Sequence, residues 1–236
     1  MSLDKYSFWE VLLHSFSSDV WKIVGPAVWE TLYMVAVSAV ITLTAGTMLG
    51  IALSVISKEG VRPLPVVSGV VGAVINCLRS LPQMIMIIIT LPLARAILGQ
   101  SYGVNACIIA LAASCIPMFA RLVQSALVEI PKGKIEAAKS MGSSGTQIVF
   151  RIMLPEALPS IIRAFTLALI AIISMTALAG SFGAGGIGDI AVRYGFNRFQ
   201  HDMLFASVFV LIIMVQIIQS AGDIVSNLIL KKRHLI

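Results

Sequence analysis

The stretch Thr31–Ser57, TLYMVAVSAVITLTAGTMLGIALSVIS, runs for 27 residues without a charged side chain. A helix needs about 20 mostly apolar residues to cross roughly 30 Å of hydrocarbon. This run is long enough to span a membrane, and four more follow it. One continues from Pro63 to Leu93, interrupted only by Arg79; the others lie in the uncharged runs 96–120, 164–188 and 203–222. The predicted spans are about 28–57, 64–94, 101–120, 164–184 and 203–223. Residues 8–24, FWEVLLHSFSSDVWKIV, fail as a sixth because Glu10, His14, Asp19 and Lys22 would be stranded in lipid. With Trp9, Trp21 and Trp29 nearby, residues 1–27 read as an interfacial segment leading into the first span.

Composition agrees. The 236 residues are 58% hydrophobic and 12% charged, with a mean hydropathy of +0.96. A water-soluble surface needs roughly 25–35% Lys, Arg, Glu and Asp. A soluble enzyme, a nucleic-acid binder and a disordered tail are therefore excluded, and the net charge of +6 needs another explanation. Lys and Arg collect in cytoplasmic loops. Eleven of the 17 basic residues fall on one side of the predicted spans, five on the other, and Arg79 lies within a span. The larger group includes Lys58, Arg62, Arg121, Lys132, Lys134, Lys139, Arg151, Arg163 and the basic tail 231–236. The expected fold is an all-α membrane protein with five spans, N-terminus outside and C-terminus cytoplasmic.

Five spans cannot divide into two equal halves, so a second copy of the chain is expected to complete a pathway. Gly46-x-x-x-Gly50 is a candidate close-packing site. Cys77, Cys107 and Cys115 fit neither a disulfide framework nor a metal site and read as small buried hydrophobes.

The connection between the third and fourth spans, 121–163, is unusually long. Leu127, Ile130, Ile135, Ala138, Met141, Gly145, Ile148 and Ile152 recur at mostly helical steps. Pro131 suits a first helical turn. Gly142-Ser143-Ser144-Gly145 breaks the pattern, and Ser144 with Gln147 forms a capping-box pattern that restarts it. Pro155 and Pro159 then end the second helix. The loop is predicted to be two short amphipathic helices on a hinge, whose apolar face either packs on its own bundle or lies in a groove of a soluble partner.

Within this loop, Glu136-Ala137-Ala138, Gly142 and, after nine residues, Ile152-x-Leu154-Pro155 resemble the EAA signature of bacterial ABC-importer permeases. VWETL at 28–32, RSLP at 79–82, EIPKGKIEAA at 129–138, LPEALP at 154–159, GAGGIG at 183–188 and AGD at 221–223 resemble the methionine-importer subfamily. Gln83, where a bulky apolar residue is expected, and the basic tail depart from it. The resemblance implies a homodimer on two cytoplasmic ATPase subunits, which bind ATP and Mg, fed by an external substrate-binding protein. It assigns Glu136, Ala137, Ala138, Gly142, Gln147, Ile152, Leu154 and Pro155 to ATPase coupling. Glu136 is expected near the start of the first short helix, where a carboxylate favours the dipole. The lysines beside it either meet acidic groups on the partner or reflect topology alone. The resemblance also leaves open an importer of another amino acid or small polar solute.

No phosphate loop of the G-x-x-x-x-G-K-[ST] type is present, so any ATP hydrolysis belongs to another polypeptide. Gly183–Gly188 satisfies G-x-G-x-x-G as a string, but it ends a span rather than following a strand, and reads as a turn at the outer mouth. His14, His201 and His234 are scattered, and no metal-binding spacing occurs. A charge within a span calls for a functional reading. Asn76, Arg79 and Ser80, beside the helix-breaking Pro82, are therefore candidates for a translocation pathway; alternatively Arg79 caps a broken helix. Ser174, Met175 and Thr176 are further candidates. Met84, Met86 and Met175 suit either a thioether route or simple gap filling. A secondary carrier or channel remains the contrasting class, though no paired carboxylates lie within the spans.

Overall fold

The computed structural model describes Ser2 and residues 6–232. The described residues are helical throughout, with no strand. In chain order the helices are α1 (Phe8–His14), α2 (Ser18–Ile56), α3 (Pro65–Ser80), α4 (Gln83–Leu98), α5 (Val104–Val128), α6 (Lys132–Ser140), α7 (Gly145–Ile148), α8 (Leu154–Gly180), α9 (Gly186–Ile190) and α10 (His201–Lys232). A π-helical turn, Val149–Met153, joins α7 to α8, and a second, Ala191–Phe196, follows α9.

Four helical stretches are long and apolar enough to cross a membrane, and a fifth span arises if α3 and α4 are one broken element. The break is local. Leu81 and Pro82 are both extended (ψ 137° and 138°), and the pair bends by 111° there. A proline lacks the N–H that would continue the ladder, and it forces the preceding residue out of the helical region. Pro92, by contrast, is accommodated inside α4. The other spans exceed their apolar runs. Helix α2 already begins at Ser18, within the segment predicted to be interfacial, and α10 continues to Lys232. The rest of the predicted tail, 233–236, lies outside the described residues, as do Lys5 and His234.

The chain forms two compact units whose boundaries fall inside the long helices and at the α3–α4 break. The first contains the described residues up to Val40, with Pro82–Ser114 and Leu169–Ile218. Its interior is a cluster of Met34, Ile87, Cys107, Ile108, Ala110, Leu111, Met175, Ala179 and Ala184. In lipid, helices associate through close packing and interhelical hydrogen bonds rather than by escaping water, and the small residues of α5 serve that need. Ser38 adds a hydrogen bond to the Ile108 carbonyl (3.3 Å). Helix α1 docks on α10 through edge contacts of Phe8 with Phe205 and an ion pair of His14 with Asp202 (2.9 Å).

The second unit contains Ile41–Leu81, Cys115–Ala168 and the described residues from Gln219. Here Gly46 and Gly50 find their partner within the chain. A Cβ on Gly46 would meet Phe119 at 2.6 Å, and one on Gly50 the Ala120 carbonyl at 2.6 Å. The G-x-x-x-G is thus consumed by α2–α5 packing. Cys107 and Cys115 are buried as expected, but Cys77 is exposed on α3. That thiol sits on the helix face opposite Ile75, which the unit buries with Leu53 and Ala120.

Candidate functional site

The loop between α5 and α8 belongs to the second unit. Pro131 stands one position ahead of expectation, as the extended residue preceding α6. Glu136 is then the fifth residue of α6 and exposed, not in its first turn; the dipole effect fades over that distance. Ala137 is also exposed, whereas Ala138 is buried against the unit. Helix α6 closes in a Schellman turn. Ser143 N–H donates to the Ala138 carbonyl (3.1 Å), Gly142 N–H donates to that of Lys139 (3.0 Å), and Gly142 takes φ +77°. Glycine is needed there because an L side chain resists the left-handed region.

Ser144 then restarts the chain. Its hydroxyl accepts from Gln147 N–H (3.3 Å), while its own N–H donates to Gln147 Oε1 (2.8 Å). The capping box read from the sequence is present. One expectation fails. Pro155 and Pro159 do not end this second helix, which passes through the π-helical turn into α8. Pro155 follows closely on the π-helical turn, where the α-helical ladder is already interrupted and a missing N–H is tolerated. Pro159 is supported from α10: the buried Ser226 hydroxyl donates to its carbonyl (3.3 Å) and accepts from Arg163 Nε (3.0 Å). Ile152, Leu154 and Pro155 are half-buried on this continuous helix.

Of the two readings of the apolar face, the structure bears out packing on the chain itself. Leu127, Ile130, Ala138 and Ile148 are all buried within the unit. What the loop presents outward is Glu136, Ala137, Gln147, Phe150 and Met141, the last 78% exposed because it occupies the turn rather than the helix face. The apolar stripe holds the loop to its own chain, and a different surface is left for a partner. Two exposed ion pairs fasten the edges, Lys132 to Glu59 (2.6 Å) and Lys134 to Glu156. Hydrogen bonding to Lys132 holds the Glu59 carboxyl below the ordinary carboxylate range, and the same bond raises Lys132.

The glycine run 183–188 belongs to the first unit and is clamped by α2. Glu30 accepts a hydrogen bond from Gly186 N–H (2.7 Å), and Thr31 Oγ1 accepts one from Ile187 N–H (2.9 Å). Gly185 and Gly186 both take positive φ, +78° and +75°. Beyond them α9 lies against the end of α8 so closely that a Cβ on Gly188 would stand 2.5 Å from the Ala177 backbone. The run is a tightly packed turn, as read from the sequence. Its partners were missed there, because nothing in a linear sequence links Glu30 to Gly186 across 156 positions.

The pathway candidates divide between the units. Asn76, Arg79 and Ser80 are exposed together at the end of α3 in the second unit. Met175 and Thr176 are buried in the first, Met175 within the apolar cluster, while Ser174 is exposed and bonds to its own helix at Ile170. Of the other methionines, Met86 is buried and Met84 is 46% exposed. Among the described residues no group of His, Cys, Asp and Glu is arranged to hold a metal.

Long apolar helices, one broken span and a capped helix–turn–helix loop define a polytopic helical membrane protein of the transport-permease class. Residues 46–234 match the family described as the binding-protein-dependent transport system inner membrane component. The chain belongs to that family. It is 42% identical over 197 residues to a probable D-methionine transport system permease protein MetI of Vibrio cholerae, covering 84% of this chain and 88% of that one. It is 39% identical over 206 residues to the methionine import system permease protein MetP of Bacillus subtilis, covering 87% and 93%. Among solved structures, a chain of the MetNI methionine ABC transporter in an inward-facing conformation superposes with a TM-score of 0.88 at 35% identity, covering 91% of this chain and 99% of that one.

Proposed function

We propose that this chain is the permease subunit of an ATP-driven importer that moves methionine, in D or L form, across the bacterial inner membrane. The observation that carries the reading is the superposition on the MetNI chain over nearly all of its length. The names of the Vibrio and Bacillus relatives point to the same solute. In this reading two copies of the chain sit on two cytoplasmic ATPase subunits that bind ATP and Mg, and a binding protein delivers solute from outside. The chain itself catalyses nothing. Its N-terminus lies outside and its C-terminus inside, in keeping with the eleven-to-five distribution of basic residues.

The loop 121–163 is the coupling element. Glu136, Ala137, Gly142 and Gln147 lie on its outward surface, where an ATPase groove would meet them, while Ala138, Ile152, Leu154 and Pro155 lie further in and carry the motion into α8. That helix is continuous from Gly145 to Gly180, so a push on the loop is applied to one end of a span. Asn76, Arg79, Ser80, Ser174, Met175 and Thr176 remain the candidates for the route.

Uptake tests the solute. Proteoliposomes holding the chain with its co-purifying ATPase and binding protein should accumulate labelled methionine. Excess unlabelled methionine should abolish the signal and other amino acids should leave it. Competition by another solute, with none by methionine, would assign a different cargo.

A further inference from the structure

An open cavity of about 450 Å³ in the second unit is lined by Arg79, Arg121, Leu122, Gln124, Ser125, Val128 and Glu129. Two guanidinium groups share its wall. Arg121 is built into place: it donates to the Gly72 carbonyl (2.8 Å) and to Gln124 Oε1 (2.6 Å). A Cβ on Gly72 would stand 3.1 Å from its guanidinium, so the glycine leaves room for this approach. Both acceptors are neutral, and Arg121 Nε is buried without a partner. Arg79 has no hydrogen-bond or ion-pair partner among the described residues. Glu129, the carboxylate on the rim, lies eight residues beyond Arg121, roughly 12 Å along the helix. It forms no ion pair with either arginine among the described residues, so neither guanidinium has a counter-charge in contact.

Like charges gathered on one wall without a counter-charge in contact repel each other, and an anion that joins them relieves the repulsion. The remaining polar groups fit that role. Gln124 accepts from Arg121 through its oxygen, which leaves its N–H groups to donate, and Ser125 adds a hydroxyl. Guanidinium forks match carboxylate and phosphate oxygens in pairs.

We propose that Arg79 and Arg121 form a binding site for an oxyanion, a carboxylate or a phosphate group. Two sources supply that chemistry in a membrane. One is the α-carboxylate of the solute in transit, which rests on the importer reading above; the other is the headgroup phosphate of an anionic lipid, which does not.

The test uses thiol chemistry rather than transport, so it can fail or succeed independently of the importer reading. Cys77 is the exposed native thiol among the three cysteines, the others being buried. In a Cys77→Ala background, Val128→Cys, at an exposed lining position with no polar group to lose, places a reporter on the cavity wall of the full chain, reconstituted in lipid nanodiscs. An anionic sulfonate methanethiosulfonate should label it about tenfold faster than the cationic trimethylammonium reagent, relative to free cysteine. Arg79→Gln with Arg121→Gln should collapse that ratio, and the paired Lys substitutions should keep most of it. In the reporter protein with both arginines intact, L-methionine but not methionine amide should slow labelling if the solute carboxylate binds. Phosphatidylglycerol nanodiscs should slow it relative to phosphatidylcholine if lipid phosphate does. A ratio equal to that of free cysteine, a ratio unaffected by the double Gln substitution, or no protection from either source would overturn the proposal.

Discussion

Two glycine turns in this chain do opposite work. The run at 183–188 is closely held from Gly185 onward: Glu30 and Thr31 take its amides, and the backbones of α8 and α9 approach where side chains would collide. The turn at Gly142 has the same sign of φ, yet a Cβ built there meets nothing within 4 Å. Gly188 is demanded by packing, Gly142 by backbone conformation alone.

The comparison can be broken by substitution, beginning with the largest expected effect. Gly188→Ala drives a methyl into the backbone of Ala177, which cannot withdraw. We expect a loss of about 3 kcal/mol, read as a lowered unfolding midpoint or failure to purify as a single species. Glu30→Ala leaves the Gly186 amide without its charged acceptor, at a cost of about 1.5–3 kcal/mol. Glu30→Gln should recover part of that. Equal midpoints for wild type and Glu30→Ala would mean the clamp is incidental.

Gly142→Ala should cost only the left-handed strain, about 1–2 kcal/mol, and Gly142→Asn less. Because the site is open, transport should fall further than stability does; the opposite order would place Gly142 among the packing glycines. Ser144→Ala, which removes the cap, should cost about 1 kcal/mol.

The smallest effect is expected at the Glu59–Lys132 pair. The Glu59 carboxyl titrates below its ordinary range, so the pair's contribution is lost only as pH falls through that lowered value. Lys132 titrates above its ordinary range, so the contribution persists until pH rises beyond it. Between the ordinary carboxylate and lysine ranges stability should not depend on the pair's ionisation. Both groups are fully exposed and screened by salt. Glu59→Gln should match the wild-type midpoint at neutral pH and high salt.

Much of this was legible in the sequence because membrane constraints act on runs of residues. Uncharged stretches gave the spans, Pro82 the break, and Ser144 with Gln147 the restart of the loop helix. What escaped were relations between distant residues. The apolar periodicity of the loop identified a buried stripe but not what buried it, and the chain itself turned out to be the cover. Pro159 looked like a terminator because Ser226, whose hydroxyl bonds its carbonyl, lies on α10, more than 60 positions away. Arg79 stood out as a charge in a span, whereas Arg121, at the edge of one, passed as topology.

The central claim is that ATP hydrolysis by a partner reaches this chain through the exposed surface of the 121–163 loop. The most direct measurement is ATP-dependent methionine uptake by proteoliposomes containing the whole assembly, with ATP hydrolysis followed in parallel, for wild type and Glu136→Ala. Wild type should accumulate methionine only with ATP. The variant should insert and fold but lose most of its uptake, with hydrolysis no longer linked to transport. Uptake without ATP, or unchanged coupled uptake in the variant, would contradict the account.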